Sequence, residues 1–459
     1  MKRLFILAIA FLLVAQVGPL VSYAEEPPTS GQCGDDVWWK FDEVTDTLTI
    51  YGKGPMWDSL DWNHIVVTPY HHLPVYHVVI EEGITQIGEY AFWKMDVITV
   101  SLPESLEHID TGAFGGCMSL KEIIIPKNVR GIGSWAFISC RELNDIVIPE
   151  KVQTIGRLAF FNTALSSVYI PEHVRGIAPA AFSGRNLVEY QVDPNNDQYC
   201  SYGGVLFTKD MKTLVAYPIG SKAKHYEVPE TVEIIEEYAF CTIQGPLGSF
   251  PFPGDSEPSF FPGELESLPF PECYLETISF PDSLRLIGSF AFLAQNALRD
   301  IQVPRNLEIW DYSSFFGIHS FARVEIPTAV RYFRGVFFYA TEPVYEVYFL
   351  GAPPPIWGSL SQGEVTLYYP VALADAWAPN GEITYKGYNI APYSYERGDA
   401  NGDGQVNTAD AAAILRYLVR LQFLSEQGMI NANVTDCATI TAADAAKILR
   451  YLVRLEPTL

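Results

Sequence analysis

The chain has 459 residues, enough for two or three domains or for one long repeat array. Its net charge of −24 argues against binding nucleic acid or docking on anionic lipid. An aromatic content of 14% excludes a disordered polyelectrolyte.

Met1-Lys2-Arg3 precedes an apolar run from Leu4 to Val21, and Ser22-Tyr23-Ala24 then leads into Glu25-Glu26. A positive start, an apolar core and small residues at −3 and −1 predict a secretory signal peptide over residues 1–24, cleaved after Ala24. No later run is long and apolar enough to predict a membrane span. The expected location is secreted or extracellular, with the C-terminal segment as tether. Seven cysteines leave at least one unpaired or in an intermolecular contact.

Four of the eight histidines crowd into His64, His71, His72 and His77. No HExxH-like spacing organises them, so an exposed loop is favoured over a metal or catalytic cluster.

From about residue 78 to residue 348 the sequence repeats. An Ile precedes an Ala-Phe pair at Ile87/Phe92, Ile109/Phe114, Ile132/Phe137, Ile155/Phe160, Ile177/Phe182, Ile235/Phe240 and Ile287/Phe292. An apolar-Pro pair ends at Pro103, Pro126, Pro149, Pro171, Pro229, Pro281, Pro304 and Pro327, with uninterrupted spacings of 22 or 23 residues. That period, with its Ile and Phe, predicts a leucine-rich-repeat solenoid, because one coil cannot bury its own apolar face and must stack on its neighbours. The stretch Leu120–Pro126 is expected to hold the short strand of its coil. The Ala-Phe pairs are expected to plug the opposite side as an internal Phe stack, and the Pro to turn the chain after the strand.

Two insertions break the period. In residues 193–226, alternating apolar residues around Lys209-Asp210 predict a β-hairpin projecting from the stack. Residues 241–273 hold seven prolines and Phe250, Phe252, Phe260, Phe261 and Phe270. That loop is either a binding lip or a loose excursion. Cys241 and Cys273 bracket it, which makes a disulfide at its base one reading. Cys117 and Cys140 sit one repeat apart, as a bridge or, the favoured reading, as small buried apolar residues. Residues 349–397 read as a closing β cap and linker.

The last segment, residues 398–459, carries ILRYLVRL twice, at Ile414–Leu421 and 34 positions later at Ile448–Leu455. In front of the first copy, Asp399, Asn401, Asp403, the Gln405 carbonyl, Asn407 and Asp410 fall at loop positions 1, 3, 5, 7, 9 and 12, with Gly404 at position 6. A hard cation such as Ca2+ takes oxygen ligands at that spacing. In front of the second copy stand Asn433, Thr435, Cys437, Thr439, Thr441 and Asp444. With one carboxylate at those positions, and Asp436 near but out of register, that loop is expected to bind calcium weakly or not at all. Ile414, Leu418, Leu421 and Ile448, Leu452, Leu455 predict two apolar helix stripes that pack on each other, with Arg416, Arg420, Arg450 and Arg454 outward.

The wording IGxxAF followed by xxSLxxIxIP resembles the bacterial surface protein A type of leucine-rich repeat. Cys33–Phe41 and Leu48–Gly52 resemble the β-rich cap that begins such proteins, here residues 25–77. Residues 398–455 resemble the type I dockerin module. Together they imply a mainly β solenoid with β caps, followed by a small all-α domain. The repeat family implies an extracellular, usually non-catalytic binding protein. The dockerin resemblance implies docking into a cohesin module of a cellulosome-like scaffold. By that resemblance the cohesin contacts are Thr408, Ala409, Arg416 and Arg420, with the twin set Ala442, Ala443, Arg450 and Arg454.

No G-x-S-x-G elbow or P-loop occurs, and the solenoid leaves no room for a catalytic domain of ordinary size. The expectation is a non-catalytic binding protein whose repeats take a protein or glycan. The alternatives are a polysaccharide-degrading component of unrecognised type, or a spacer with no soluble ligand.

Overall fold

The computed structural model describes residues 28–59, 68–242, 274–295, 297–298, 303–311, 314–315, 323–333, 346–357, 365–393, 398–402, 405–435, 439–455 and 459. The signal-peptide reading, His64, the Pro/Phe loop with Cys273, and the loop residues Asp403, Gly404 and Cys437 lie outside them.

Each coil contributes short extended segments to two rows. One row carries the Ile of the repeat: Ile84–Ile87, His108–Ile109, Gly131–Ile132, Thr154–Ile155 and Gly176–Ile177. These pair in parallel, with Ile87, Ile109, Ile132, Ile155 and Ile177 in register. The second row runs Thr47–Gly52, His77–Ile80, Thr99–Ser101, and later Ser167–Ile170 with Glu189–Val192. Leu120–Pro126 belongs to this second row but, against expectation, forms no strand. Ile123 and Ile125 are buried while Ile124 is 86% exposed. The side-chain alternation therefore persists where the ladder does not, and apolar packing holds the stretch. Prolines turn the chain as expected: the carbonyls of Pro103, Pro126, Pro149 and Pro171 each accept the N–H three residues on, at 3.0–3.4 Å.

The Phe residues stack through the core. Phe92, Phe114, Phe137, Phe160 and Phe182 follow one another at 5.1–5.5 Å between ring centroids, within 10° of parallel. The stack resumes as Tyr217, Phe240, Phe292 and Phe315 at 4.7–4.9 Å. Both ends are plugged. Tyr70 stacks on Phe92 and meets Trp39 of the antiparallel N-terminal strands edge-on. Trp377 packs 4.8 Å from Phe349 and donates its indole N–H to the Gly351 carbonyl at 3.0 Å. The parallel row continues past residue 348 through Thr366–Pro370 to Tyr388–Tyr393, where a hairpin with Thr384–Tyr385 closes it.

A second apolar ladder, unforeseen from the sequence, runs beside the Phe stack: Tyr90, Trp93, Trp135, Ile138, Leu158, Phe161, Tyr238 and Phe290. The residue before each Ala-Phe pair has left-handed backbone: Tyr90, Gly112, Trp135, Leu158, Ala180, Tyr238 and Phe290 have φ of 54–62°. Left-handed backbone costs a side-chain-bearing residue roughly 1–2 kcal/mol. Burying a large aromatic ring offsets that, since such rings remove 150–250 Å² from water in general.

The insertion at 193–226 is no projection. Tyr199–Tyr202, Val205–Thr208 and Thr213–Ala216 form an antiparallel meander whose last strand pairs in parallel with Ile234–Ile235. Val205, Leu206, Phe207 and Leu214 are buried. Leu206 belongs to the first half of the core and Phe207 to the second, so the meander is the seam between them. Apolar residues on both faces of these strands force them inside.

Candidate functional site

The C-terminal module contains helices at Thr408–Leu418 and Ala442–Leu452, joined by a shorter helix at Glu426–Ala432. The short helix was not anticipated; Ser425, which accepts the Gly428 N–H at its start, is the signal for it. The two long helices share a core of Ala411, Ala413, Ile414, Ala445 and Ile448. The stripe reading is corrected in part. Ile414 and Ile448 are buried, but Leu418, Leu421 and Leu455 are 37%, 79% and 70% exposed. The helices stop at Leu418 and Leu452, so the last member of each stripe lies beyond the helix, and alanines supply most of the close contact.

In the first loop two carboxylates are buried, Asp399 at 5% and Asp410 at 0% exposure. Asp410 accepts the backbone N–H of Asn401 at 3.0 Å and of Asn407 at 2.8 Å, drawing positions 3, 9 and 12 together. Asp399 accepts the Gly402 N–H at 2.8 Å, and its carbonyl takes the Asn431 side-chain amide at 2.8 Å. Asn407 caps the helix by accepting the Ala409 N–H. Gly398, at φ +100°, lies so close to Val406 and Leu459 that a Cβ there would clash with them. Two buried carboxylates in a loop that also carries oxygen-bearing Asn401, Gln405 and Asn407 fit a calcium ion, which would supply the positive charge that offsets theirs. Asp399, Asn401, Gln405, Asn407 and Asp410 are the described residues that would hold it.

The second loop copies the frame. Asp444, also fully buried, accepts the backbone N–H of Thr435 at 2.9 Å and of Thr441 at 2.8 Å. Burial works against its charge, but the Thr435 and Thr441 hydrogen bonds hold its carboxyl below the usual range.

Thr408, Ala409, Arg416 and Arg420 are exposed, as are Ala442, Ala443, Arg450 and Arg454. Leu415, Val419, Leu449 and Val453 beside them are 40–65% exposed. Both long helices end in a Schellman turn: Leu421 N–H reaches the Arg416 carbonyl and Leu455 N–H the Arg450 carbonyl, each at 2.8 Å. The left-handed residue in that turn is usually Gly; here it is Arg420 (φ 59°) and Arg454 (φ 61°).

On the solenoid, the residues two before the coil prolines line up on the outer face of the second row. Ile124, Val147 and Tyr169 are 86%, 74% and 45% exposed, with Val79 and Ser101 continuing the line. Beside it runs a polar line of His77, Thr99, Glu122, Asp145 and Ser167. His77 is taken up there by Thr99, 2.8 Å from its Nδ1, rather than clustering with His71 and His72. Cys117 and Cys140 are buried free thiols whose Sγ atoms lie 3.2 Å from the carbonyls of Phe92 and Phe114. Burial pushes the Cys140 thiol up to about 12. Both are structural, as favoured from the sequence. Cys241 is buried in the outer ladder. Among the described residues no three His, Cys, Asp or Glu side chains form a metal group, although Asp403 lies outside that set.

The chain matches the BspA type leucine rich repeat region in six copies over residues 68–188 and 219–342, about half its length. Residues 397–453 match the dockerin type I domain. No curated protein matches. Among solved structures, the pneumococcal vaccine antigen PcpA is similar with a TM-score of 0.53 at 17% identity, over 79% of this chain and 100% of that one. A leucine rich cell surface protein from Faecalibacterium prausnitzii A2-165 aligns at 21% identity over 71% and 89%, with a TM-score of 0.46. A leucine-rich repeat protein from Eubacterium ventriosum ATCC 27560 aligns at 18% identity over 71% and 80%, also with a TM-score of 0.46. At these identities the likeness is one of fold. Repeat wording, stacked Phe core and loop–helix module agree: the chain belongs to the BspA-type leucine-rich-repeat family and carries a C-terminal type I dockerin domain.

Proposed function

We propose that this is a secreted, non-catalytic binding protein. Its dockerin docks, with calcium in the Asp399–Asp410 loop, into a cohesin of a scaffold or cell-surface complex. Its solenoid presents the Val79–Tyr169 face to a protein or glycan. The observation that carries the docking reading is the pair Arg420 and Arg454. Each helix end spends backbone strain to keep a long cationic side chain where Gly would be relaxed, and it does so twice, on an exposed face bordered by exposed Leu and Val. A structural cap gains nothing from arginine there; a contact surface does.

The test is capture from the secreted and surface proteins of the source organism, with and without a calcium chelator. The expected result is a cohesin-bearing partner that is lost on chelation and with Asp399→Ala. Retention indifferent to both sinks the reading. Purified protein that hydrolyses plant polysaccharides would move it to the enzymes.

A further inference from the structure

The two loops of the dockerin share a frame, and the second departs from the first in what completes it. In both, the carboxylate at position 12 accepts the backbone N–H groups of positions 3 and 9. In the second loop two hydroxyls join them. Thr435 Oγ1 donates to Asp444 Oδ1 at 2.7 Å, and Thr441 Oγ1 donates to Asp444 Oδ2 at 3.3 Å. A carboxylate offers about four lone-pair directions. Two amides and two hydroxyls fill them, and a cation approaching Asp444 would have to displace a donor.

A charge is already present as well. Lys447, whose counterpart 34 residues earlier is Ala413, turns its ammonium back to the Val434 carbonyl at position 2 of the loop, at 2.7 Å. It is half-buried there, where the first loop has only the methyl group of Ala413. The remaining ligand positions of the second loop, Asn433, Thr439 and Cys437, bring no further carboxylate. Calcium affinity follows ligand charge, and a fixed ammonium opposes a divalent ion entering beside it.

We infer that the second loop takes no calcium and is closed instead by Thr435, Thr441 and Lys447, the lysine serving as its built-in cation. The dockerin is then a one-ion module. Its first half is calcium-dependent and its second half is held by hydrogen bonds. This concerns the loops alone and stands apart from what the module docks into.

Calorimetric calcium titration of the full chain is the first arm. One calcium is expected, and it is lost with Asp399→Ala. A calcium that survives Asp399→Ala and disappears with Asp444→Asn overturns the inference. No calcium at all would sink the first-loop reading instead, leaving the second arm to decide this one. That arm is hydrogen exchange of amides 433–447 in saturating calcium. Thr435→Val and Lys447→Met should each speed exchange about tenfold, the effect of losing roughly one hydrogen bond, while Thr435→Ser leaves it unchanged. Calcium affinity should stay within about threefold in all three. Exchange unchanged in both Thr435→Val and Lys447→Met shows that neither group closes the loop, and the inference fails.

Discussion

Arg157 and Glu237, 80 residues apart in sequence, form a two-pronged ion pair: Nη2 to Oε1 at 2.8 Å and Nη1 to Oε2 at 3.1 Å. The guanidinium lies 4.9 Å from the centre of the Tyr238 ring. Arg157 stands in the half of the solenoid before the meander and Glu237 in the half after it, so the pair staples the outer ladder across the seam. Its side chains are 35% and 27% exposed, enough solvent to moderate the interaction. Arg157→Met is expected to cost about 1–2 kcal/mol, since charged hydrogen bonds and a cation–π contact are lost together. A double-mutant cycle with Glu237→Gln, followed by chemical denaturation, should return a coupling near 1 kcal/mol. Additive losses would show that the staple contributes nothing as a pair.

How far the sequence carried this structure depends on the kind of signal. The Phe stack was legible because the Ala-Phe pair recurs at one period and nothing but a shared core accommodates it. The dockerin's loop–helix frame was legible because ILRYLVRL recurs 34 residues on, each copy behind an Asp that closes its helix's capping box. The outer ladder was not: its positions read Tyr90, Trp135, Leu158, Ala180, Tyr238, Phe290, a mixture of sizes with no motif, unified by a left-handed φ that no residue type announces. The meander's burial is not legible in the sequence, because alternation along one strand does not say that both faces are covered. The Arg157–Glu237 staple was beyond reach, being a contact between coils whose juxtaposition depends on how the insertion folds.

The core ladder predicts a steep local gradient of mutational cost. Phe137 is fully buried between Phe114 and Phe160. Phe137→Ala leaves a cavity that the neighbouring coils cannot fill without shifting, and is expected to cost about 3–5 kcal/mol. Ile124, about half a coil earlier in sequence but 86% exposed, should tolerate Ile124→Ser within about 0.5 kcal/mol. Thermal or chemical unfolding of the two variants checks this. If Ile124→Ser proves as costly as Phe137→Ala, the exposed line is buried against something in solution. Near-neutral stability joined to loss of ligand would mark it as the binding face.

The helix-terminal arginines predict a trade between stability and docking. Arg420→Gly and Arg454→Gly relieve a left-handed residue, a gain of at most about 1 kcal/mol each after glycine's greater freedom in the unfolded chain is subtracted. Both variants should therefore keep or raise the module's melting temperature and weaken capture of the partner. Arg420→Ala, which loses the side chain and keeps the strain, should weaken capture without the gain. Variants that melt higher and dock as well as the parent would remove the reason offered for arginine at these positions.

Glu89 predicts a dependence on pH. Burial, then the neighbouring carboxylates Asp58 and Asp110, raise its carboxyl above the usual range; Asp58 also accepts the Glu89 backbone N–H at 2.9 Å. Asp110 is raised too, by burial and by Asp58, against the opposing hydrogen bond from Gln86. A carboxyl raised in the folded state binds its proton more tightly there than in the unfolded chain. Its stabilising contribution is complete below the ordinary glutamate value of about 4.3 and is lost as pH rises through the folded value. At neutral pH the ionised Glu89 is a liability. Glu89→Gln should therefore be more stable than the parent at pH 7, with the advantage shrinking as pH falls toward about 4. Denaturation curves of the two proteins at a series of pH values read the difference directly, since every other titrating group is shared. A gap that is constant across the series, or that widens toward acid, would show that the three carboxylates do not strain one another.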